Sequence, residues 1–328
     1  MEIKHVVKSS LAVLGALSML VLAGCGGSSG GGTVKKAEKA PIEKLVEEKG
    51  KEVTVNTVKL KFVTLASEVK KLKSPTYMPN LVYQKGAFYG IDEKTKSMVK
   101  LVIKDGTFAI ENSNVIPNVK YIYGTDGENM YYRPEGKMPQ PRVLTKDGKD
   151  MGPLLKGLGY LTPAPDGKTV FSWSNSGAIL KLARNADGTV EEAKRPYQYL
   201  PKDDRYITAG WFAVGPDSYF VRGRQMSTSK KDQPLREHRF DGTLKATYGQ
   251  KDQGQQGTYA ILKNYVVHAR HNSQGYDIYS RSDGKIKANI PYRTFGTNMT
   301  LMASTVNNTF VICDSFSKVP KLIVVTIQ

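Results

Sequence analysis

The sequence predicts an all-β fold built from repeated pairs of hairpins. The chain of 328 residues contains 18 Tyr and 31 Gly, and this composition favours strands and tight turns over helices. Asp-Gly dipeptides recur after short strand-like runs, where they predict hairpins with type I′ turns that need positive φ at both central residues. The five dipeptides in matching contexts begin at Asp105, Asp147, Asp187, Asp241 and Asp283, at spacings of 42, 40, 54 and 42 residues.

Each repeat also contains an earlier hairpin. In one of them, Tyr121–Tyr123 turns through Asp126-Gly127 into Met130–Tyr132, and similar hairpins follow over residues 160–171 and 211–221. Four short strands in each 40–54 residues, with no helical periodicity between them, are typical of a β-propeller blade. A β-sandwich, the alternative, does not explain a repeat of this length that carries two hairpins each time.

The ends of the chain predict the number of blades. The last segment supplies only three strands, Met299–Ala303, Thr309–Cys313 and Lys321–Ile327, and it lacks a closing hairpin. The strand-like stretch Val53–Leu65 precedes the first complete unit, which begins near Asn80. Pairing of this N-terminal strand with the C-terminal strands would close the ring and leave no unprotected edge. We therefore expect an all-β propeller with six four-stranded blades, seven being the alternative.

The first 24 residues have the features of a secretory signal. Lys4 and Lys8 precede a mostly apolar run, Leu11–Ala23, which is shorter than the about 20 residues that a membrane-spanning helix needs. The sequence Leu22-Ala23-Gly24-Cys25 resembles the lipobox of bacterial lipoproteins. The resemblance implies cleavage before Cys25 and lipidation of its thiol, with acyl chains such as palmitate. An ordinary secretory signal with an incidental cysteine is the alternative.

The resemblance also implies a location and a division into three parts. We expect residues 1–24 to be a signal peptide, residues 25–52 a lipidated cysteine with a flexible tether, and residues 53–328 the propeller domain. The tether begins with Gly26–Gly32, which contains only Gly and Ser, and it has a helical patch after Pro41. The protein would be exported and anchored to the cell envelope. The anchor would lie in the outer membrane facing the periplasm in a Gram-negative cell, or on the outer face of the plasma membrane in a Gram-positive one.

The formal net charge of +18 indicates the kind of partner. Such an excess favours association with anionic lipid headgroups, phosphate-bearing envelope polymers or acidic glycans. Nucleic acid is not expected as a partner of an exported, anchored protein. If Cys25 carries lipid, Cys313 has no disulfide partner, and its apolar surroundings predict a buried, inert thiol. We expect a monomer.

A short motif in the third repeat resembles a known family of propellers. The stretch Pro165-Asp166-Gly167-Lys168-Thr169-Val170-Phe171 resembles the PD40-type repeat of bacterial periplasmic TolB-like propellers, and Gly215-Pro216-Asp217 is a weaker example. The resemblance implies the fold and the exported location. The role of TolB-like proteins does not carry over, because they have a separate N-terminal domain that 28 tether residues cannot supply.

Linear motifs for catalysis are absent from the sequence. Outside the Gly/Ser-rich stretch Gly26–Gly32 it contains no Gly-x-Ser-x-Gly elbow, and it contains no phosphate-binding glycine loop or calcium-loop pattern. His268 and His271 are three residues apart, so in a strand they would face opposite sides and would not bind one zinc ion. We expect no cofactor and no catalytic residue. The alternative is a metal-dependent hydrolase or lactonase, or a quinoprotein dehydrogenase, with ligands from separate blades at the mouth of the central channel.

The best candidate for a binding site is the basic hairpin in the fourth repeat, within Phe220–Arg239. Its basic residues are Arg222 and Arg224 on one strand, Lys230 and Lys231 in the following loop, and Arg236 and Arg239 on the returning strand. Side chains that lie two positions apart on a strand share a face of the sheet. Loops that are held by rigid blades often bind partners. A solvated basic hairpin is the alternative. The sequence thus predicts a membrane-anchored lipoprotein whose propeller is a binding or scaffolding module for an envelope protein or an anionic polymer.

Overall fold

The part of the chain that the structure describes is almost entirely β-structure. The computed structural model describes residues 39–68, 72–73, 81–137, 139–154, 159–173, 179–185, 189–190, 207–225, 234–249, 257–270, 275–295, 301–304, 307–314 and 321–328. It describes only the backbone at 207–210, 223–225, 257, 301–304 and 313–314. Over these residues it has 24 strands, one α-helix and one short 3-10 helix, Tyr292–Phe295. The predicted all-β class is confirmed.

Four of the sheets are small and each is continuous in sequence. The second sheet consists of β7 (Val119–Thr125), β8 (Met130–Pro134), β9 (Arg142–Leu144) and β10 (Asp150–Met151). The third sheet consists of β11 (Tyr160–Pro163), β12 (Thr169–Trp173) and β13 (Ile179–Ala183). The fourth consists of β14 (Ile207–Val214), β15 (Ser218–Gln225), β16 (Leu235–Arg239) and β17 (Leu244–Tyr248). The fifth consists of β18 (Gly257–Ile261), β19 (Tyr265–Arg270), β20 (Tyr276–Ser280) and β21 (Ile286–Ile290).

A nine-stranded terminal sheet contains both ends of the described chain. Its N-terminal strands are β1 (Lys51–Val55), β2 (Val58–Ser67), β3 (Leu81–Gln84), β4 (Ala87–Ile91), β5 (Met98–Lys104) and β6 (Thr107–Ile116). Its C-terminal strands are β22 (Leu301–Ser304), β23 (Thr309–Asp314) and β24 (Lys321–Ile327). The order is β22-β23-β24-β2-β6-β5-β4-β3, and β1 pairs with β2.

The strand β2 connects the two ends of the chain. It pairs antiparallel with β24, from Leu60 opposite Ile327 to Ala66 opposite Lys321. The predicted pairing of N-terminal and C-terminal strands is therefore confirmed. The expected single strand over 53–65 is instead a hairpin of β1 and β2, because the chain reverses at Asn56, which has φ 53°.

The sheets follow one another in a propeller-like arrangement. The first strands of successive groups, β3, β7, β11 and β14, contact each other in this order, and β18 contacts β22, which in turn contacts β3. Buried apolar clusters fill the spaces between neighbouring sheets. One such cluster joins Val267 and Ile278 of the fifth sheet to Phe310, Val325 and Leu60 of the terminal sheet.

The structure differs from the prediction of six separate four-stranded blades. It contains four separate sheets and the nine-stranded terminal sheet. The terminal sheet is continuous because Ala66 and Ser67 of β2 pair in parallel with Thr107 and Phe108 of β6. Among the described residues the third sheet has three strands, and an isolated bridge pairs Arg184 with Val190 just after them.

Three of the four matching Asp-Gly turns within the described residues are of another type than expected, and the predicted turn at Asp187 lies outside the described part of the chain. Asp105 and Gly106 both have positive φ, as a type I′ turn requires. At the fourth repeat only Gly242 has positive φ, and its N–H donates to the carbonyl of Arg239. The Asp241 carboxylate accepts a hydrogen bond from the Thr243 N–H at 2.9 Å. This turn is a three-residue loop with Gly242 in the left-handed position.

A docked helix replaces the last part of the expected flexible tether. Helix α1, Pro41–Lys49, begins with Pro at its first position, and the Ala40 N–H donates to the Glu43 carboxylate at 3.1 Å. Ile42 and Val46 lie four residues apart and therefore share one helix face, which is buried against β2 and β24. Helix α1 therefore belongs to the same compact unit as the sheets, Lys39–Gln328.

The pairing of β2 with β24 gives the first testable prediction. Leu60 is fully buried between β24 and the fifth sheet, so Leu60→Ala removes buried apolar area and leaves a cavity. We expect a loss of about 2–5 kcal/mol in the free energy of unfolding, measured by urea denaturation. The exposed neighbour Lys59 provides the control, because Lys59→Ala should change the free energy by less than about 0.5 kcal/mol. An equal effect of both substitutions would contradict a central role for this strand.

Candidate functional site

The structure separates the residues of the predicted basic site onto two faces of the fourth sheet. Arg222 of β15 lies opposite Leu235 of β16, whereas Arg236 lies opposite Val221. Because side chains alternate along a strand, Arg222 and Arg236 point to opposite faces. Arg236 therefore faces the third sheet, with Val221, and Arg222 faces the fifth.

The remaining predicted residues do not complete one surface. Arg239 is exposed and lies opposite Ser218. It is four residues along β16 from Leu235, the partner of Arg222, so Arg239 and Arg222 are about 13 Å apart along the strand direction. Its guanidinium donates to the Thr243 hydroxyl at 3.4 Å. The backbone of Arg224 pairs with Thr208, but its side chain, with all of Lys230 and Lys231, lies outside the described part of the chain. Strand alternation places Arg236 on the face opposite to Arg222, whereas Arg239 lies on the same face as Arg222 but farther along the strand. The parts of the predicted patch that involve Arg224, Lys230 and Lys231 stay predictions.

The face that carries Arg222 packs against the fifth sheet. Phe220, Leu235 and Tyr248 of the fourth sheet form a buried cluster with Tyr259, Val266 and Tyr279 of the fifth. Trp211 of β14 is the cross-strand neighbour of Arg222, and its ring lies 4.9 Å from that of Tyr259. Arg222 therefore stands beside the contact between the two sheets.

A row of polar side chains crosses the fifth sheet on the same face. Tyr259, His268, Asp277 and Asn289 are successive partners on β18, β19, β20 and β21. The His268 ring stacks on Tyr259 at 4.5 Å, and its Nδ1 lies 3.7 Å from Asp277 Oδ2, which exceeds hydrogen-bond distance. Asn289 Nδ2 donates to Asp277 Oδ1 at 2.7 Å.

The surroundings of His268 favour its neutral form. The side chain is 1% exposed, and this burial lowers its pKa below the ordinary value. The carboxylate of Asp277 raises the pKa, while the positive charges of Arg222 and Arg270 lower it further. Among the residues that the structure describes, neither ring nitrogen has a hydrogen-bond partner.

Asp277 stays ionised although it is buried. Burial by itself would raise its pKa, but contacts with His268, Arg270 and Asn289 more than offset this effect and lower the pKa. Arg270 Nε lies 3.4 Å from Asp277 Oδ1, and 28% of the Arg270 side chain is exposed. The side chains of Arg222 and Arg270 thus come from neighbouring sheets and act on the same buried histidine.

The other end of this face contains a buried ion network. Arg281 follows β20, and its Nη2 contacts Glu237 Oε1 at 2.5 Å, Asp217 Oδ1 at 3.0 Å and Ser218 Oγ at 3.1 Å. Glu237 is fully buried; it also accepts from the Ser218 hydroxyl at 2.6 Å and from the Tyr248 hydroxyl. The contacts of Glu237, chiefly that with Arg281, more than offset the effect of burial and lower its pKa. This network fastens the fifth sheet to the fourth.

A similar ion network joins the third sheet to the second, and we call each of the two networks a clamp. Arg184 follows β13 and donates to Asp126 Oδ2 at 2.6 Å and to the Gly167 carbonyl at 3.0 Å. In both clamps the arginine directly follows the third strand of its sheet, and the aspartate lies in the first hairpin turn of the preceding sheet. Sequence reasoning missed these residues. Their signal is the recurrence of Arg184 and Arg281 at equivalent repeat positions.

The described residues offer neither a candidate metal site nor a candidate membrane-spanning helix. Within the described ranges, no three His, Cys, Asp or Glu side chains lie close enough together to hold a metal ion. His271 falls outside those ranges, so the expected separation of His268 and His271 stays a prediction. No helix in the described part of the chain is long and apolar enough to cross a membrane.

Comparisons with known proteins find distant structural similarity. No protein-family model matches the chain, and no curated protein matches it. A crystal structure of a structural genomics protein of unknown function from Bacteroides thetaiotaomicron VPI-5482 is similar over 81% of this chain and 76% of that one, with 9% identity and a TM-score of 0.49. A chain of a nidogen/laminin complex is similar over 67% of this chain and 82% of its own length, with 12% identity and a TM-score of 0.44.

The clamp between the fourth and fifth sheets gives the second prediction. Arg281→Met removes the closest cation of the buried Glu237 carboxylate and leaves Lys245, whose Nζ lies 2.9 Å from Glu237 Oε1. We therefore expect a loss in the free energy of unfolding that does not exceed the about 3–5 kcal/mol of a buried charge left without any partner. Lys285→Met provides the control, because it removes one positive charge at an exposed residue in the next turn. The double substitution Arg281→Met with Glu237→Leu should recover part of the loss, because it removes the buried carboxylate that has lost its closest cation. A single-variant cost equal to that of Lys285→Met would contradict the clamp.

Proposed function

We propose that the chain is a lipid-anchored lipoprotein of a bacterial cell envelope, and that its propeller is a binding module for an anionic envelope polymer. The observation that carries the binding function is the positive charge, which is +18 for the whole chain. Long-range attraction to anionic surfaces follows from such an excess. An envelope protein with an acidic surface would be recognised by the same charges.

The proposed module is a propeller of six blades. The terminal sheet counts as two of them: β3–β6 form one blade, and β22, β23, β24 and β2 form the other. The parallel pairing that joins the two groups involves only two residues of each strand. The contact between β22 and β3 supports this count, because the first strands of two neighbouring blades meet there.

The proposed anchor is the lipid on Cys25. It rests on the resemblance of Leu22–Cys25 to a lipobox and on the apolar run before it. One acyl chain gives only marginal membrane binding, since each buried CH₂ contributes about 0.8 kcal/mol, and two or three chains give stable attachment. Residues 26–38 would connect this anchor to the compact unit Lys39–Gln328.

Cell fractionation tests the anchor. Cys25→Ser should move the protein from the membrane pellet to the soluble fraction at physiological ionic strength, because the acyl chains are lost. Cys313→Ser provides the matched control, since it removes the other cysteine of the chain and should leave the protein in the pellet. Retention of Cys25→Ser in the pellet would show that a partner or the basic surface holds the protein there.

Binding to isolated envelopes tests the charge-based function. In a Cys25→Ser background, we expect the protein to bind envelopes at low ionic strength and to dissociate as salt is added. Reversal to Glu at Arg222, Arg224, Lys230 and Lys231 should weaken binding and reduce its salt dependence. A control variant carries the same reversal at the exposed residues Lys94, Lys104, Lys149 and Lys285 of other sheets.

The control separates local from overall charge. Both variants lose the same amount of positive charge, so equal weakening would mean that only the net charge matters. Unchanged binding in the first variant would contradict a role for the basic hairpin. Absence of any binding by the unreversed protein would contradict the proposed function itself.

A further inference from the structure

The described sheets carry their short turns at one end of the compact unit. Successive strands are antiparallel within each sheet, so the turn after the first strand and the turn after the third lie at the same end. Turns of neighbouring sheets contact each other there. The Lys263 N–H donates to the Asn307 carbonyl at 2.7 Å, and Lys85 Nζ lies 3.0 Å from Glu128 Oε1. The two clamps join further turns, those of the second and third sheets and those of the fourth and fifth. We call this end the turn end.

The compact unit also begins at the turn end. Helix α1 starts at Pro41, and its first turn meets the turns of the terminal sheet. Pro41 Cγ lies 4.0 Å from the place that a Cβ on Gly86, between β3 and β4, would take. Asn307, between β22 and β23, donates from Nδ2 to Glu43 Oε1 at 2.8 Å. The chain before Lys39 therefore joins the compact unit at this end.

The proposed tether is short compared with the distance between the two ends. Residues 26–38 number 13, and a fully extended stretch of that length spans at most about 45 Å. A coil of that length has a root-mean-square span of about 20 Å. The seven-residue strand β5 connects the two ends and spans about 23 Å. If the opposite end faced the bilayer, the tether would have to be stretched past the whole unit, which costs conformational entropy.

Two exposed apolar side chains also lie at the turn end. Leu244 and Ile286 are the exposed large apolar side chains of the described residues, with relative exposures of 55% and 46%. Each is the first residue of the fourth strand of its sheet, two positions after the glycine of an Asp-Gly turn. They therefore occupy equivalent places in the fourth and fifth sheets. Apolar side chains gain free energy by leaving water, and a lipid bilayer offers such a place near its headgroups.

We propose that the turn end rests on the lipid bilayer that holds the acyl chains of Cys25, with Leu244 and Ile286 at the boundary between headgroups and acyl chains. This inference rests on the proposed lipid anchor and adds the surface that faces the lipid. Two separate observations support it: the chain joins the compact unit at the turn end, and the exposed apolar side chains lie at that end.

The orientation also places the predicted basic hairpin. The connection that contains Lys230 and Lys231 leaves β15 at Gln225 and enters β16 at Leu235, at the end opposite to the turns. With the turn end on the bilayer, the strand ends that flank this connection point away from it. The anionic polymer of the proposed function would therefore bind away from the membrane surface, and the headgroups of the anchoring bilayer would not be the ligand of the hairpin.

Quenching by nitroxide-labelled lipids tests the orientation. The full acylated chain carries Cys313→Ser and one added cysteine with a fluorescent label, and it is reconstituted into vesicles of phosphatidylethanolamine and phosphatidylglycerol. A headgroup nitroxide should quench the label at Lys263→Cys, an exposed position of the turn end. It should not quench the label at Lys94→Cys, the matched exposed position between β4 and β5 at the opposite end, about 23 Å farther away. Leu244→Ser with Ile286→Ser should reduce quenching at Lys263→Cys.

The possible results separate the orientation from the anchor. Equal or stronger quenching at Lys94→Cys would overturn the orientation, and quenching at neither position would overturn it by showing that the compact unit stands off the bilayer. Unchanged quenching in the double serine variant, with unchanged thermal unfolding, would overturn the contact of the two apolar side chains. These results leave the anchor standing. Retention of Cys25→Ser in the membrane pellet would instead contradict the anchor and remove the inference with it.

Discussion

The pairing of β2 with β24 is the constraint on which the rest of the structure depends. It connects β2, near the start of the compact unit, to the last described strand of the chain through seven successive residue pairs. Without it the terminal sheet would expose two edges of unpaired backbone groups, which is costly and invites aggregation. The pairing also places Leu60 in the cluster beside the fifth sheet and supports the face on which Ile42 and Val46 of α1 pack.

Buried charges supply a second level of order between the sheets. Apolar clusters hold neighbouring sheets together but tolerate sliding, because hydrophobic contact has little directional preference. The clamps made by Arg184 and Arg281 are directional, since each guanidinium must meet at least one carboxylate of the preceding sheet and at least one carbonyl of its own sheet. One end of the face between the fourth and fifth sheets is thus fixed by ions, and the other end presents Arg222 and Arg270.

The candidate site could be predicted only in part. The basic composition of the fourth repeat drew attention to Arg222, and the structure places this residue beside Trp211 and near His268. Its counterpart Arg270 comes from the next repeat, 48 residues later, so no local pattern connects the two. Arg236 looked equivalent in sequence, yet it lies on the opposite face. The register across a hairpin decides such assignments, and a change of one residue would reverse them.

The sequence by itself determined the class and the periodicity of the fold. Recurring Asp-Gly turns, strand-like runs and the incomplete last repeat predicted an all-β chain whose ends pair, because these signals depend on local turn chemistry and alternation. Only the tertiary structure decided that β2 also reaches β6, that α1 docks on the sheet, and that Arg281 meets Glu237. These features depend on which surfaces meet after folding, and residues far apart in the chain carry no shared local signal of that contact.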